Sequence, residues 1–412
     1  MARELRIVDA LGHDDHVVVV GAGLAGWRLA EGLRRHGFAG RVSVVGAEPH
    51  LPYERPPLSK QVLAGRWDLE RVALAGGDRA GELGIDLRLG ARAVALDAAA
   101  GEVTLEDGTR LVATRVALAV GVEARAFSTP SSGALPTLRS RDDAEGLRDR
   151  VAGLEPGETV VVVGGGFLGA EVATSLGARG LVPVVLEAAT RPLVGPLGAE
   201  VAGWLAGLAA DASIELRTGV VVRDVVAGSG TWRVELDDGL LEGREVVAAV
   251  GSRLDLGWLE DSGLALDDGI VVDAALRAAP RVAALGDAAR VLEVEGERGA
   301  RREHWQVAAD HAEALARAWA GAEPSALAAT PYFWSDQYGK KIQLLGRPLP
   351  DDEVVRVVGS TTSGRWLALY ARAGVVTGAV ALSQPRALML AKPLVDVGAR
   401  LDDALADAPW ER

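Results

Sequence analysis

Val17-Val18-Val19-Val20-Gly21-Ala22-Gly23-Leu24-Ala25-Gly26 is followed by a helix-like stretch to about His36 and a second apolar run, Val42 to Val45, leading to the carboxylate of Glu48. This stretch decides how the chain is read. Four consecutive β-branched residues suit a strand buried on both faces. The glycines that follow let backbone approach a pyrophosphate, and the next helix offers free N–H groups and a positive dipole end. The order strand, Gly-rich loop, helix, strand, acid is a dinucleotide fingerprint. A glycine motif alone is weak, but here the flanking elements are also present.

The unit recurs. Val160 to Val163 reads as a strand, Gly164-Gly165-Gly166-Phe167-Leu168-Gly169 as the loop, Glu171 to Arg179 as helix, and Val184 to Leu186 as a strand ending in Glu187. The first glycine and Glu187 stand ~20 residues apart, the spacing of a ribose-binding acid. A carboxylate there accepts from ribose hydroxyls and repels a 2′-phosphate. Ala188-Ala189-Thr190 follow it, with no adjacent Arg, which favours NADH over NADPH. After each unit come short strands in a meander and a returning apolar strand that ends in Gly, at Gly121 and at Gly251. The chain therefore carries an internal repeat of two dinucleotide domains.

Between these landmarks, Pro52-Tyr53-Glu54-Arg55-Pro56-Pro57-Leu58-Ser59-Lys60 reads as an extended, stiff loop. It either holds Arg55 and Lys60 against something polar or anionic, or is a rigid surface connection. Ser128 to Pro136 reads as a linker. Val282 to Leu285 is an apolar strand ending in Gly286-Asp287, which puts an aspartate at a strand C-terminus, where ligands sit in open α/β sheets. Arg298, Arg301 and Arg302 lie in a basic loop before a helix opened by Glu303-His304-Trp305. From Tyr332 the character changes: an aromatic string, four expected strands between Lys341 and Ala381, and a helical tail from Pro385 to Val395 interrupted by Pro393.

Composition narrows the function. With 412 residues the chain suits two to three domains of ~150 residues. The formal charge of −13 disfavours nucleic-acid binding as a main role. There is no cysteine, which excludes disulfides, thiolate–metal sites and redox-active Cys pairs. Six scattered histidines show no metal-ligand spacing. No apolar run approaches the ~20 residues of a membrane span, and residues 1–16 lack signal-peptide character. The expectation is a cytoplasmic protein without membrane contact.

The Pro52–Lys60 string, Gly164 to Glu171 and Pro331-Tyr332-Phe333-Trp334-Ser335-Asp336-Gln337-Tyr338 together resemble the oxygenase-coupled, NADH-dependent ferredoxin reductases within the glutathione-reductase-like flavoproteins. The resemblance implies an α/β fold of two Rossmann-like domains plus a C-terminal α+β domain. The expected divisions are 1–126 and 253–328 for FAD, 127–252 for NADH and 329–412 for the last domain. It further implies electrons passing from NADH through FAD to a small iron–sulfur ferredoxin. A rubredoxin reductase, an apoptosis-inducing-factor-like NADH-binding flavoprotein and a ferredoxin-independent flavin oxidoreductase remain alternatives, as do monomer and homodimer.

Carried onto this sequence, the resemblance sets Gly21, Gly23, Ala25 and Gly26 at the FAD pyrophosphate and Arg55 and Lys60 on the flavin side. It puts Ala93 by the adenine, Arg139 near the ribityl or phosphate, Asp287 on the ribityl chain, and Trp305 and Trp334 near the isoalloxazine. Gly166, Leu168, Glu171 and Glu187 would hold NADH, and Lys60, Glu171 and Trp334 would be the catalytic set. Leu24, Glu48, Ala119, Gly121, Gly164, Phe167, Gly169, Gly251 and Gly286 complete the cofactor-contacting residues. Ala47 stands where the family has Asp, so Glu48 is expected to take the ribose contact. Arg298, Arg301 and Arg302 are candidates for ferredoxin docking, and Lys340, Lys341 and Arg347 form a second basic patch. His304 is a further candidate for flavin proximity.

Overall fold

The structure, a computed structural model, describes residues 10–76, 78–292, 301–323, 327 and 330–411. The chain divides into two compact units. One comprises Met1–Glu54, Val72–Glu123 and Arg253–Ala329; the other comprises Arg55–Arg71, Ala124–Ser252 and Thr330–Arg412. The proline-rich segment therefore passes from the first unit to the second between Glu54 and Arg55.

The first unit is built on a six-stranded sheet in the order Arg277–Ala279, Val282–Ala284, Arg115–Leu118, His16–Val20, Arg41–Gly46, Ile85–Leu89. All neighbours run parallel except the Arg277–Ala279 edge. His16–Val20 is buried throughout because it lies at the sheet's centre, which explains the unbroken valines. Helix Leu24–Arg35 and helix Trp305–Trp319 cover one face, with Trp27, Leu29, Leu33, Leu315 and Trp319 in the core. The antiparallel meander Ala93–Asp97, Glu102–Leu105, Arg110–Val112 is inserted before the returning strand.

In the second unit, a four-stranded parallel sheet runs Glu215–Thr218, Val182–Glu187, Thr159–Val163, Glu245–Ala248, with its own meander of Val222–Ala227, Trp232–Leu236 and Leu240–Gly243. Its registers mirror those of the first sheet: Val17 faces Val42 and Arg115, and Val160 faces Pro183 and Glu245. The C-terminal part is a five-stranded antiparallel sheet in the order Tyr332–Gln337, Lys340–Gly346, Val375–Leu382, Arg365–Arg372, Glu353–Ser360. One face carries helices Pro385–Asp396 and Leu401–Asp407. The other buries Ile342, Trp366, Tyr370 and Val380 against Leu197, Val201 and Leu205 of helix Val194–Leu205. The C-terminal sheet thus shares a core with helix Val194–Leu205, which follows the second fingerprint, that of the four-stranded parallel sheet.

Several local expectations are corrected. The proline-rich loop is not extended to its end: Leu58–Val62 forms a π-helical turn, with Leu63 N–H donating to the Leu58 carbonyl at 3.2 Å. Pro56 and Pro57 stand just ahead of that turn, where a missing N–H costs nothing. The aromatic string is an edge strand. Pro393 does not interrupt its helix, because it falls in the last turn and the helix runs on to Asp396. The Ser128–Pro136 linker contains a small hairpin, Ser128–Thr129 with Gly133–Ala134, fastened by Ser131, whose N–H and Oγ donate to Asp224 at 3.0 and 2.6 Å. The second fingerprint helix starts at Phe167, four residues earlier than its pattern suggested.

Candidate functional site

Two cradles of like geometry stand at the carboxyl ends of the two parallel sheets. Gly21 has φ +111°, and Gly164 has φ +107°. A Cβ at Gly21 would lie 2.2 Å from the Ala119 carbonyl oxygen, and one at Gly164 would lie 2.4 Å from that of Ala249. A Cβ on Gly26 or Gly169 would lie 1.9 Å from the carbonyl oxygen of Gly21 or Gly164. These glycines let helix and strand close on one another. Gly23 and Gly166 differ: a Cβ on either meets nothing within 4 Å. Each is the N-cap of its helix, in extended conformation, with no side-chain cap. The space beside each is therefore bordered by unsatisfied helix N–H groups, which suits a pyrophosphate.

The acids are not equivalent. Glu187 takes the Gly165 N–H on Oε2 and the Ala189 N–H on Oε1, both at 2.8 Å. Its carboxylate is held at the strand end, beside the Gly-rich loop. By strand register the matching position in the first unit is Gly46, whose Cβ would press on Ala22 at 2.6 Å. Ala47 is exposed, and Glu48, two residues beyond the matching position, accepts a 2.6 Å hydrogen bond from Tyr53 Oη.

Asp287 sits on the turn Gly286–Ala288, at the end of the strand beside Arg115–Leu118. Gly286 has φ +71°, and a Cβ there would lie 3.1 Å from Ala25 Cβ, so this strand end abuts the first glycine loop. Arg301 donates to the Asp287 carbonyl at 3.0 Å and to Glu303 at 2.6 Å, and its side chain is only 13% exposed. Arg301 is therefore a tie within its own unit; Arg298 lies outside the described residues. Trp305 Nε1 donates to Glu54 at 2.5 Å. Next to it, burial and then the charge of Arg302 push the His304 imidazole down to about 4, so it is neutral near pH 7.

In the second unit, Glu171 stands on helix Phe167–Gly177 and is 6% exposed. Its Oε2 receives Lys60 Nζ and Ser59 Oγ, each at 2.6 Å, and its Oε1 receives Ser335 Oγ at 2.6 Å. Lys60 Nζ also reaches the Pro56 carbonyl at 3.2 Å. Lys60 and Glu171, both in the catalytic set that the resemblance implies, thus form a pair, and three serines outside that set surround it. Ser175 Oγ anchors the Ser59 carbonyl at 2.6 Å. Ser335 stands within the aromatic string, which as a strand alternates its side chains and so turns this serine to the face that meets Glu171. Trp334 lies on the opposite strand face, stacked on Tyr332 at 5.8 Å, whereas Phe333 packs on Phe167 at 4.6 Å. Arg55 donates to the Arg139 carbonyl at 2.7 Å, just before the capping box of Ser140 and Asp143. Ala93 begins the first meander, and Gly121 and Gly251 turn the returning strands with positive φ.

Two Rossmann-type cradles, one suited to NADH, with a buried Lys–Glu pair on the second, define a flavin- and nicotinamide-dependent oxidoreductase. Residues 15–312 match the model of the pyridine nucleotide-disulphide oxidoreductases and residues 332–410 that of the reductase C-terminal domain. The chain belongs to the pyridine nucleotide-disulphide oxidoreductase family. It is 35% identical to the chlorobenzene dioxygenase ferredoxin reductase component of Cupriavidus sp. (strain PS12), over 95% of each chain. It is 34% identical to the benzene 1,2-dioxygenase system ferredoxin–NAD(+) reductase subunit of Pseudomonas putida, again over 95% of each. Putidaredoxin reductase, solved as a covalent complex with putidaredoxin, superposes with TM-score 0.87 at 29% identity, covering 94% of both chains. Among the described residues no helix is long and apolar enough to cross a membrane, and no acidic or histidine cluster could hold a metal ion. The thiol pair in the family's name has no counterpart in this cysteine-free chain.

Proposed function

We propose that this chain is an FAD-containing NADH:ferredoxin reductase that supplies electrons to a mono- or dioxygenase through a small iron–sulfur ferredoxin. One observation carries the reading: two complete dinucleotide cradles stand in a chain without a single cysteine. Electrons arriving from a nicotinamide have no protein thiol to reduce, so they must leave to an external acceptor. The ferredoxin reductases among its relatives, alike over nearly the whole chain, support a ferredoxin as that acceptor.

The bound cofactors supply hydride uptake and single-electron release; the chain binds and orients them. In this reading Gly21, Gly23, Leu24, Ala25 and Gly26 receive the FAD pyrophosphate, and Asp287, held at the first loop by Gly286, takes the ribityl chain. Glu48, oriented by Tyr53, accepts from the adenosine ribose in place of the acid absent at Ala47. The loop Gly164–Gly169 and Glu187 hold NADH. Lys60 is fixed by Glu171 beside that nucleotide loop's helix. Arg302 and Arg298 then attract an acidic ferredoxin, with the exposed Lys341 and Arg347 as a second basic patch.

The test is stopped-flow mixing of the FAD-loaded protein with NADH, and then with oxygenase-system ferredoxins. Rapid bleaching of the flavin by NADH, slower bleaching by NADPH, and reoxidation by ferredoxin at a rate that falls with added salt are expected. A protein that stays colourless after reconstitution with FAD, or a reduced flavin that oxygen reoxidises faster than any ferredoxin, overturns the proposal.

A further inference from the structure

The Glu171 carboxylate receives more support than an ion pair with Lys60 requires. Its two oxygens accept three hydrogen bonds of 2.6 Å, two from serine hydroxyls that belong to different elements. Ser335 is fully buried and Ser59 is 3% exposed. Gln337, 2% exposed and on the same strand face, donates to Ser335 Oγ at 3.1 Å, which fixes the lone pair and turns the hydroxyl hydrogen toward Glu171. A second tie, from Tyr338 N–H to Thr174 Oγ1 at 2.7 Å, sets the edge strand against the same helix.

The other charged groups on the elements around Glu171 are committed elsewhere. Arg179, past the helix end, donates to the Leu63 carbonyl at 3.3 Å. Glu187 is held by two backbone N–H groups. Asp336, on the other strand face from Ser335, pairs with Lys341 at 3.0 Å. Tyr338 has its phenol pushed up to about 12 by burial and stays neutral.

We propose that Ser335 and Ser59 are positioning residues: they orient the buried Glu171 carboxylate, so that the C-terminal edge strand sets the Lys60 ammonium in place. This rests on the functional reading above, in which Lys60 and Glu171 serve the reduction by NADH. A buried carboxylate takes its orientation from its donors, and no water replaces a donor that is removed.

The experiment is nitrogen NMR of the lysine side chains in FAD-loaded protein, where Lys60 is one of four lysines and its ammonium signal is assigned by its loss in Lys60→Met. Ser335→Ala and Ser59→Ala should each shift and broaden the Lys60 signal, and Ser335→Thr should restore it. In the Glu171→Gln background, Ser335→Ala should leave the signal where it was. If Ser335→Ala does not retain FAD, Ser59→Ala alone decides. A Lys60 signal unmoved in a folded, FAD-retaining serine variant overturns the proposal. A moved signal, with a parent flavin that NADH does not reduce, overturns instead the functional reading on which it rests.

Discussion

Lys60→Met deletes an ammonium while keeping the apolar stem, and the structure sets the size of the effect. Nζ lies 2.6 Å from Glu171 Oε2, with the two side chains 13% and 8% exposed. Removing one member of a buried pair costs ~3–5 kcal/mol, because the remaining charge is stranded out of water. Ser59 and Ser335 continue to donate to both carboxylate oxygens, so the lower end applies, about 3 kcal/mol. In a unit the size of the second one that corresponds to a fall of about 6–12 °C in the thermal midpoint. Removing both charges with Lys60→Met/Glu171→Gln should recover most of the loss, since the stranded charge is gone and the amide still hydrogen-bonds the two serines. Because the pair is buried, added salt should change the midpoint difference little. Calorimetry of the FAD-loaded parent, both singles and the double makes the comparison. A Lys60→Met protein with the parent's midpoint, or a double no more stable than Lys60→Met, refutes the reasoning.

Three further outcomes follow from other parts of the structure. Glu187→Ala should raise KM for NADH about tenfold or more and narrow the preference over NADPH, since ribose hydroxyls lose a charged acceptor; steady-state kinetics with both nucleotides checks it. Gly26→Ala should yield protein that does not retain FAD, because its Cβ would lie 1.9 Å from the backbone oxygen of Gly21 and neither helix nor strand can yield; visible absorbance after purification reads this directly. His304 titrates in the folded, FAD-free protein at about 4, below its unfolded value of 6.5, so its neutral form contributes stability above pH 6.5. That contribution, at most about 3 kcal/mol, is lost as pH falls from 6.5 toward 4. Unfolding midpoints of the parent should therefore drop more steeply across that window than those of His304→Gln.

Much of the architecture was legible in one dimension. Valine runs followed by glycine loops mark parallel strands buried on both faces, because such strands need no alternation and the loop must be small. Both cradles, the acid at Glu187, the Gly286-Asp287 strand end and the absence of thiol chemistry followed from residue type and spacing. The number of dinucleotide domains did too, because the whole unit is written twice.

Side-chain convergence was legible only through resemblance or not at all. Lys60 and Glu171 are far apart in sequence, and no periodicity links a π-turn to a helix in another part of the chain. Ser335 gave no signal because the aromatic string lacks the apolar–polar alternation of a one-sided strand: aromatic rings stand on both of its faces, Phe333 against Phe167 on one and Tyr332 stacked with Trp334 on the other. The turn at Leu58–Val62 was hidden behind prolines, whose fixed φ suits an extended segment and a helix start equally well.

The sequence by itself thus determined which backbone could approach a phosphate, since that depends on having no Cβ at given positions. Tertiary structure decided which carboxylate is buried, which cation meets it and which hydroxyls hold it, because those depend on distances between elements that only packing sets.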